Sequence, residues 1–160
     1  MLREEFIADL NAAKAAEKIV FDTLDKIYCT VLFTNVSENP NFYYLGDITA
    51  VDMFGNIKYI EVKDDSRIAD TGRVLCEEEV YYKESDYYGK GNMYCNCDYY
   101  CVVSQKERLI YVIDFKILKE IYKKYGEYKV IQHSTQDTYC YLVDLCWCAS
   151  KGALIKKLKY

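Results

Sequence analysis

Apolar positions recur with a helical period over residues 3–28, where Phe6, Leu10, Ala13, Val20, Leu24 and Ile27 follow one another at steps of three and four and predict one amphipathic helix. Glu17 falls in the same stripe, whereas Lys14 and Lys18 turn aside. A carboxylate in an apolar seam needs a partner, a cation or a wet cleft. The blander reading is a helix edge, with Glu17 reaching water past the small Ala13 and Ala16. Residues 29–34 predict a short strand and 35–41, with Pro40, a loop.

The period then changes to two. Residues 43–53 and 57–63 predict a β-hairpin turning at Phe54-Gly55-Asn56, because β-branched and aromatic residues flank a Gly/Asn turn. Alternation in the second strand puts Ile57, Tyr59, Glu61 and Lys63 on one face and Ile60 and Val62 on the other. With a three-residue turn, Thr49 faces Glu61 and Asp47 faces Lys63, so Asp47, Glu61 and Lys63 share a face. The opposite parity would bring Asp52 there, which makes Asp52 the fallback acid.

Periodicity weakens over 64–98, a Tyr-rich stretch with the acidic triplet Glu77-Glu78-Glu79, and a long, partly ordered loop is expected. Residues 99–104 and 109–114 predict a second hairpin turning at 105–107. A helix over 115–125 follows, with Phe115, Leu118, Ile121 and Tyr122 inward. Two short strands, 127–132 and 138–144, precede a segment with the basic residues Lys151, Lys156, Lys157 and Lys159. These elements predict a single α/β (α+β) domain over 1–160, a mixed sheet flanked by the two helices.

Composition narrows the classes. A chain of 160 residues with 51% hydrophobic and 29% charged residues and one proline is neither disordered nor collagen-like. No apolar run has membrane-spanning length, the first residues lack a secretory pattern, and a cytoplasmic location is expected. The eight cysteines are therefore expected as reduced, packed thiols. A net charge of −4 provides no global footprint for nucleic acid, so such binding needs a local basic rim or bound cations.

Two acids and a lysine on one hairpin face suit a divalent cation beside a phosphate, since Mg²⁺ or Mn²⁺ takes carboxylate and carbonyl oxygens and an ammonium positions the attacking water. Asp47, Glu61 and the Val62 carbonyl are the candidate ligands, and Lys63 is the candidate assistant. As a structural alternative, Glu61 and Lys63 form a solvated pair of little energetic weight. Arg67, Arg73, Lys83 and Lys90 are candidates for substrate contacts, and equally typical of a solvated surface.

Gly46-Asp47 followed fourteen residues later by Glu61-Val62-Lys63, behind an N-terminal helix, resembles the PD-(D/E)xK, or restriction-endonuclease-like, nuclease superfamily, with Gly46 where proline is common. Over about 3–115 the resemblance implies a restriction-endonuclease-like fold and Mg²⁺-dependent phosphodiester hydrolysis of nucleic acid, DNA foremost, by an endo- or exonuclease. By resemblance, Asp47 and Glu61 bind metal, Lys63 assists the water, and Glu17 matches a helix glutamate that Holliday-junction-resolvase-like members direct at the metal. A homodimer is expected on the same ground. The competing class is a non-catalytic nucleic-acid-binding or protein-interaction module on the same fold.

Other constellations are weaker. Cys95, Cys97 and Cys101, or Cys146 and Cys148 with His133, lack the spacing of zinc knuckles, and Cys97, Tyr99 and Cys101 are expected on one face of a strand, as packing residues are. No motif places His133 beside a cysteine for nucleophilic catalysis. Eighteen tyrosines could stack bases, though half-buried strands use tyrosine as readily.

Overall fold

The computed structural model describes residues 2–34 and 45–160. The first helix, α1, runs Leu2–Leu24. It is followed by β1 (Thr30–Phe33), β2 (Ile48–Val51), β3 (Ile57–Asp64), α2 (Ile68–Thr71), β4 (Arg73–Tyr82) and β5 (Tyr87–Lys90). After a 3-10 turn at Asn92–Tyr94 come β6 (Tyr99–Ser104), β7 (Leu109–Asp114), α3 (Phe115–Tyr125), β8 (Glu127–Gln132), β9 (Gln136–Asp144), α4 (Leu145–Ser150) and β10 (Leu154–Lys159). The chain is α+β, and its six-stranded mixed sheet, in the order β1-β2-β3-β6-β7-β10, is antiparallel except between β3 and β6. Strands β5-β4-β9-β8 form a second, antiparallel sheet. No helix among the described residues is long and apolar enough to cross a membrane.

Alternation along the sheet creates two cores. Ile60, Cys101, Val103 and Ile110 face α1, where Ala16, Val20 and Leu24 meet them at four-residue spacing. Tyr100, Val102, Tyr111 and Ile113 face the other way, against Phe115 and Leu118 of α3 and Val74, Cys76 and Val143 of the second sheet. The predicted stripe of α1 is corrected at its ends: Leu10 is 44% exposed, and Ile27 lies beyond the helix at 64%. The last turn closes when the N–H groups of Ile27 and Tyr28 both donate to the Leu24 carbonyl.

The hairpin register differs by two residues from the expected one. Val51 pairs with Ile57 and Ile48 with Ile60, leaving a five-residue turn at 52–56. Asp52 builds that turn, its carboxylate accepting from the backbone of Phe54 and Asn56 and from the Asn56 amide, which holds the exposed carboxyl below its ordinary range. Asp52 is therefore a turn residue and not a fallback ligand. Because the slip is even, Asp47 keeps its parity with Glu61 and now comes alongside it, one step beyond Ile48–Ile60. Part of the expected first strand, and the expected loop at 35–41, lie outside the described residues.

Residues 64–98 are not a long loop. β4 is a ten-residue strand whose Val74, Leu75 and Cys76 are consecutively buried, and a bulge between Glu77 and Glu79 breaks its alternation. Its tyrosines pair across the hairpin, Tyr81 with Tyr88 at 4.7 Å between ring centroids and Tyr82 with Tyr87 at 6.4 Å. α2 stands just after β3, but it is a single turn of four residues.

Candidate active site

The site begins where β2 ends. Strand β3 continues past Ile48, so the Val62 N–H has no strand partner on that side, and the Asp47 carboxylate takes the vacant acceptor position with Oδ2 2.8 Å away. The Asp47 N–H donates to the Ile60 carbonyl at 2.9 Å, so main chain and side chain both lock onto β3. Gly46 makes this approach feasible. It has φ +78, and a Cβ there would stand 2.6 Å from the Ile60 oxygen and 2.8 Å from Cys97 Sγ.

Glu61 and Lys63 project from β3 on the side that β4 and the segment 92–97 cover. Lys63 Nζ is 2.6 Å from Glu77 Oε1, and the Glu77 N–H donates to Asn92 Oδ1. Glu61 Oε2 accepts from Cys95 Sγ at 3.5 Å. Sequence reasoning thus pairs Lys63 with the wrong acid: its partner is Glu77, from the second sheet, and not Glu61. Glu78, next to Glu77, accepts from the Tyr122 hydroxyl and pairs with Lys123.

Asp47, Glu61, Cys95 and Cys97 therefore lie close enough to influence one another's charge, and Glu77 joins them through Lys63. Burial, then the Asp47 charge and Cys95, push the Glu61 carboxyl well above its ordinary value. Burial also raises Asp47, against the Val62 N–H and the Lys63 charge, and raises Glu17, with Asp47 adding to it. Glu17 is therefore electrically part of the site, on the half-buried face of α1. A hydrogen bond between Cys95 and Cys97 favours the Cys95 thiolate and holds Cys97 protonated.

Cys97 packs against the second core as expected, but not from a strand: it lies two positions before β6, in the loop that closes over Glu61. Among the described residues, Glu61, Cys95 and Cys97 form a group that could hold a metal ion, their ligand atoms all within 4.8 Å of one another. No disulfide links any of the eight cysteines.

Beside Cys97 opens a hollow of about 330 Å³, lined by Lys58, Asn96, Asp98, Tyr99, Asp114, Lys116 and Lys119. Lys58 from β3 and Lys116 and Lys119 from α3 bring three ammonium groups to this hollow, against the carboxylates of Asp98 and Asp114, and supply a local basic rim that the net charge denies. Lys58 is only loosely paired, 3.7 Å from Asp98, and Lys119 Nζ donates to the Cys95 carbonyl. The expected substrate residues lie otherwise. Arg67 pairs with Asp65, and its charge reaches Cys140 together with that of Lys63. Arg73 is held between Asp144 and Glu127, Lys83 by Asp137, and Lys90 lies over the Tyr94 ring. The signal for Lys116 and Lys119 was present in the sequence as the polar face of α3, but only the fold turns that face toward the site.

No protein-family model and no curated protein matches the chain. Among solved structures it is similar to a bacterial homing endonuclease, at a TM-score of 0.49 and 12% identity over 79% of this chain and 74% of that one. A likeness at that level assigns nothing to this chain.

Proposed function

We propose that the chain is a divalent-metal-dependent nuclease of the restriction-endonuclease-like PD-(D/E)xK type, hydrolysing phosphodiester bonds in nucleic acid, DNA foremost. The observation that carries the reading is the clamp of Asp47 on Val62, which sets a second half-buried carboxylate beside Glu61 at a strand end where, among the described residues, neither forms an ion pair. Like charges in a desolvated site are costly unless a proton or a cation joins them. The oxygens of Asp47 and Glu61 suit Mg²⁺ or Mn²⁺, and Val62 offers a carbonyl between Glu61 and Lys63. A cation held there supplies Lewis-acid stabilisation of the charge that develops on the phosphoryl group.

This chain's own residues do the rest. Lys63, oriented by its 2.6 Å bond to Glu77, presents an ammonium to orient the attacking water. Glu17 adds negative charge behind Asp47 and acts as an outer partner of the cation. Lys58, Lys116 and Lys119 take backbone phosphates in the adjoining hollow.

The test is cleavage of labelled single-stranded, duplex and branched DNA with Mg²⁺ or Mn²⁺, comparing the wild-type chain with Glu61→Ala and Lys63→Ala. Metal-dependent cleavage that both substitutions abolish, with circular dichroism unchanged, is the expected result. A wild type inert on every substrate, with no divalent-metal heat in calorimetry, sinks the catalytic reading and leaves the non-catalytic module.

A further inference from the structure

Asp47 and Glu61 account for a hard cation, and two thiols packed at the edge of the core stand at the same place. Cys95 and Cys97 are separated by one residue, so both can turn toward a common point. Glu61 completes a triangle of ligand atoms no more than 4.8 Å on a side. In a tetrahedral zinc site with a sulfur ligand at about 2.3 Å and an oxygen ligand at about 2.0 to 2.2 Å, sulfur and oxygen lie about 3.5 to 3.7 Å apart. Cys95 Sγ and Glu61 Oε2 stand 3.5 Å apart. The third member, Cys97 Sγ, is pressed against Gly46, where any side chain would displace it.

The segment that carries the thiols is fixed at both ends. The Cys95 N–H donates to the Asn92 carbonyl, and Lys119 donates to the Cys95 carbonyl. On the other side the Asp98 N–H donates to the Tyr59 carbonyl at 2.8 Å, while the Asp98 carboxylate accepts from the Tyr59 N–H at 2.8 Å. A two-thiol arm stapled to the strand that bears its third ligand is preorganised, so little ordering opposes binding.

Two thiolates and one carboxylate are a poor donor set for Mg²⁺ and a good one for a borderline or soft divalent cation. Three protein ligands also leave the fourth tetrahedral position open. We propose that Cys95, Cys97 and Glu61 form a binding site for a thiophilic divalent cation of the zinc class, and that occupation of this site, by taking Glu61, switches off Mg²⁺-dependent hydrolysis. Binding sends to solvent whatever protons Cys95, Cys97 and Glu61 carry and changes no oxidation state. The site stands on its own geometry, whereas the inhibition rests on the nuclease reading.

The experiment uses the full reduced chain, freed of metal. Cd²⁺ is titrated while thiolate-to-metal charge-transfer absorption is followed, and Zn²⁺ is added as competitor. The expected result is one equivalent bound, displaced by Zn²⁺, with affinity reduced about 100-fold or more in Cys95→Ser/Cys97→Ser and unchanged in Cys146→Ser. Absence of the band in the wild type, or equal affinity in the double variant, overturns the site. Should the double variant fail to fold, alkylation of the wild type with peptide mapping decides instead. Zn²⁺ must slow modification of Cys95 and Cys97 about tenfold or more, and not that of Cys29 and Cys146, which are exposed.

Inhibition is read on whichever substrate Mg²⁺ cleaves: one equivalent of Zn²⁺ suppresses the wild type, and the concentration needed rises by the same factor as the affinity falls in the double variant. Cleavage that Zn²⁺ leaves untouched overturns the switch. No cleavage under any condition overturns the nuclease reading, and the inhibition with it, while the absorption titration still decides the site.

Discussion

At the scale of single residues, Asp47 combines a structural duty with an electrostatic one, and the two can be separated. Its Oδ2 replaces a missing strand acceptor for Val62, a task that an amide oxygen performs equally well. Its charge, half-buried near Glu61 and Glu17, opposes folding until a proton or a cation neutralises it. Asp47→Asn is therefore expected to raise the melting temperature of the metal-free protein while abolishing cleavage and the stabilisation given by Mg²⁺, as thermal scans with and without the cation would show. A lower melting temperature without metal would mean that the charge itself holds the hairpin. Gly46 is the complementary case. Its φ of +78 and the clash with the Ile60 carbonyl mean that Gly46→Ala should cost about 1 to 3 kcal/mol in denaturant unfolding. Asp47 was legible in the sequence because hairpin parity survives an even slip. Cys95 and Cys97 were not, since nothing local shows that a loop before β6 folds back over β3.

At the scale of elements, local signals were read correctly where partners are adjacent in the chain. The hairpin of β6 and β7 and the amphipathic α3 form as expected, and Asp114 caps α3 by accepting from the Ile117 N–H at 3.0 Å. No local period marks β4, for a physical reason. Its buried run Val74-Leu75-Cys76 packs in the second core, and the bulge at Glu77–Glu79 then reverses which residues face inward, so no single period describes the strand. That bulge aims Glu77 at Lys63, and Asn92 supports it by accepting from the Glu77 N–H while donating to the Tyr100 hydroxyl at 2.8 Å. Gly91 lets the supporting segment lie against β4, because a Cβ there would collide with the Glu77 backbone. Asn92→Ala leaves a half-buried N–H without its acceptor, and a loss of about 1 to 3 kcal/mol is expected. Cleavage by Asn92→Ala should fall further than its stability explains, since Lys63 loses the acid that orients it. Equal activity per folded molecule would detach Glu77 from the chemistry.

At the scale of the whole molecule, β3 and its neighbours bring Asp47 and Glu61 together while α1 adds Glu17 within electrostatic reach of Asp47, and the native carboxyls of all three titrate above their ordinary range, chiefly through burial. A carboxyl whose folded value is raised binds its proton more tightly in the native state than in the unfolded chain. From the ordinary glutamate value of 4.5 upward to the raised native values, folding takes up protons, and stability must therefore fall as pH rises through that window. Lys63 attenuates the effect at Asp47 and Glu61, and the Cys95 neighbour strengthens it at Glu61. A divalent cation reverses the sign, because it binds only the ionised ligands and its stabilisation grows over the same window. Melting temperatures measured in chelator should thus decline across this range, and excess Mg²⁺ should flatten the decline. In Glu61→Gln the slope in chelator should shrink, since the most strongly shifted of the three carboxyls is gone. A wild-type melting temperature that climbs steadily over this range, or a slope that Glu61→Gln leaves intact, would show that the acids are not held together against their charge and would remove the physical ground for placing a cation among them.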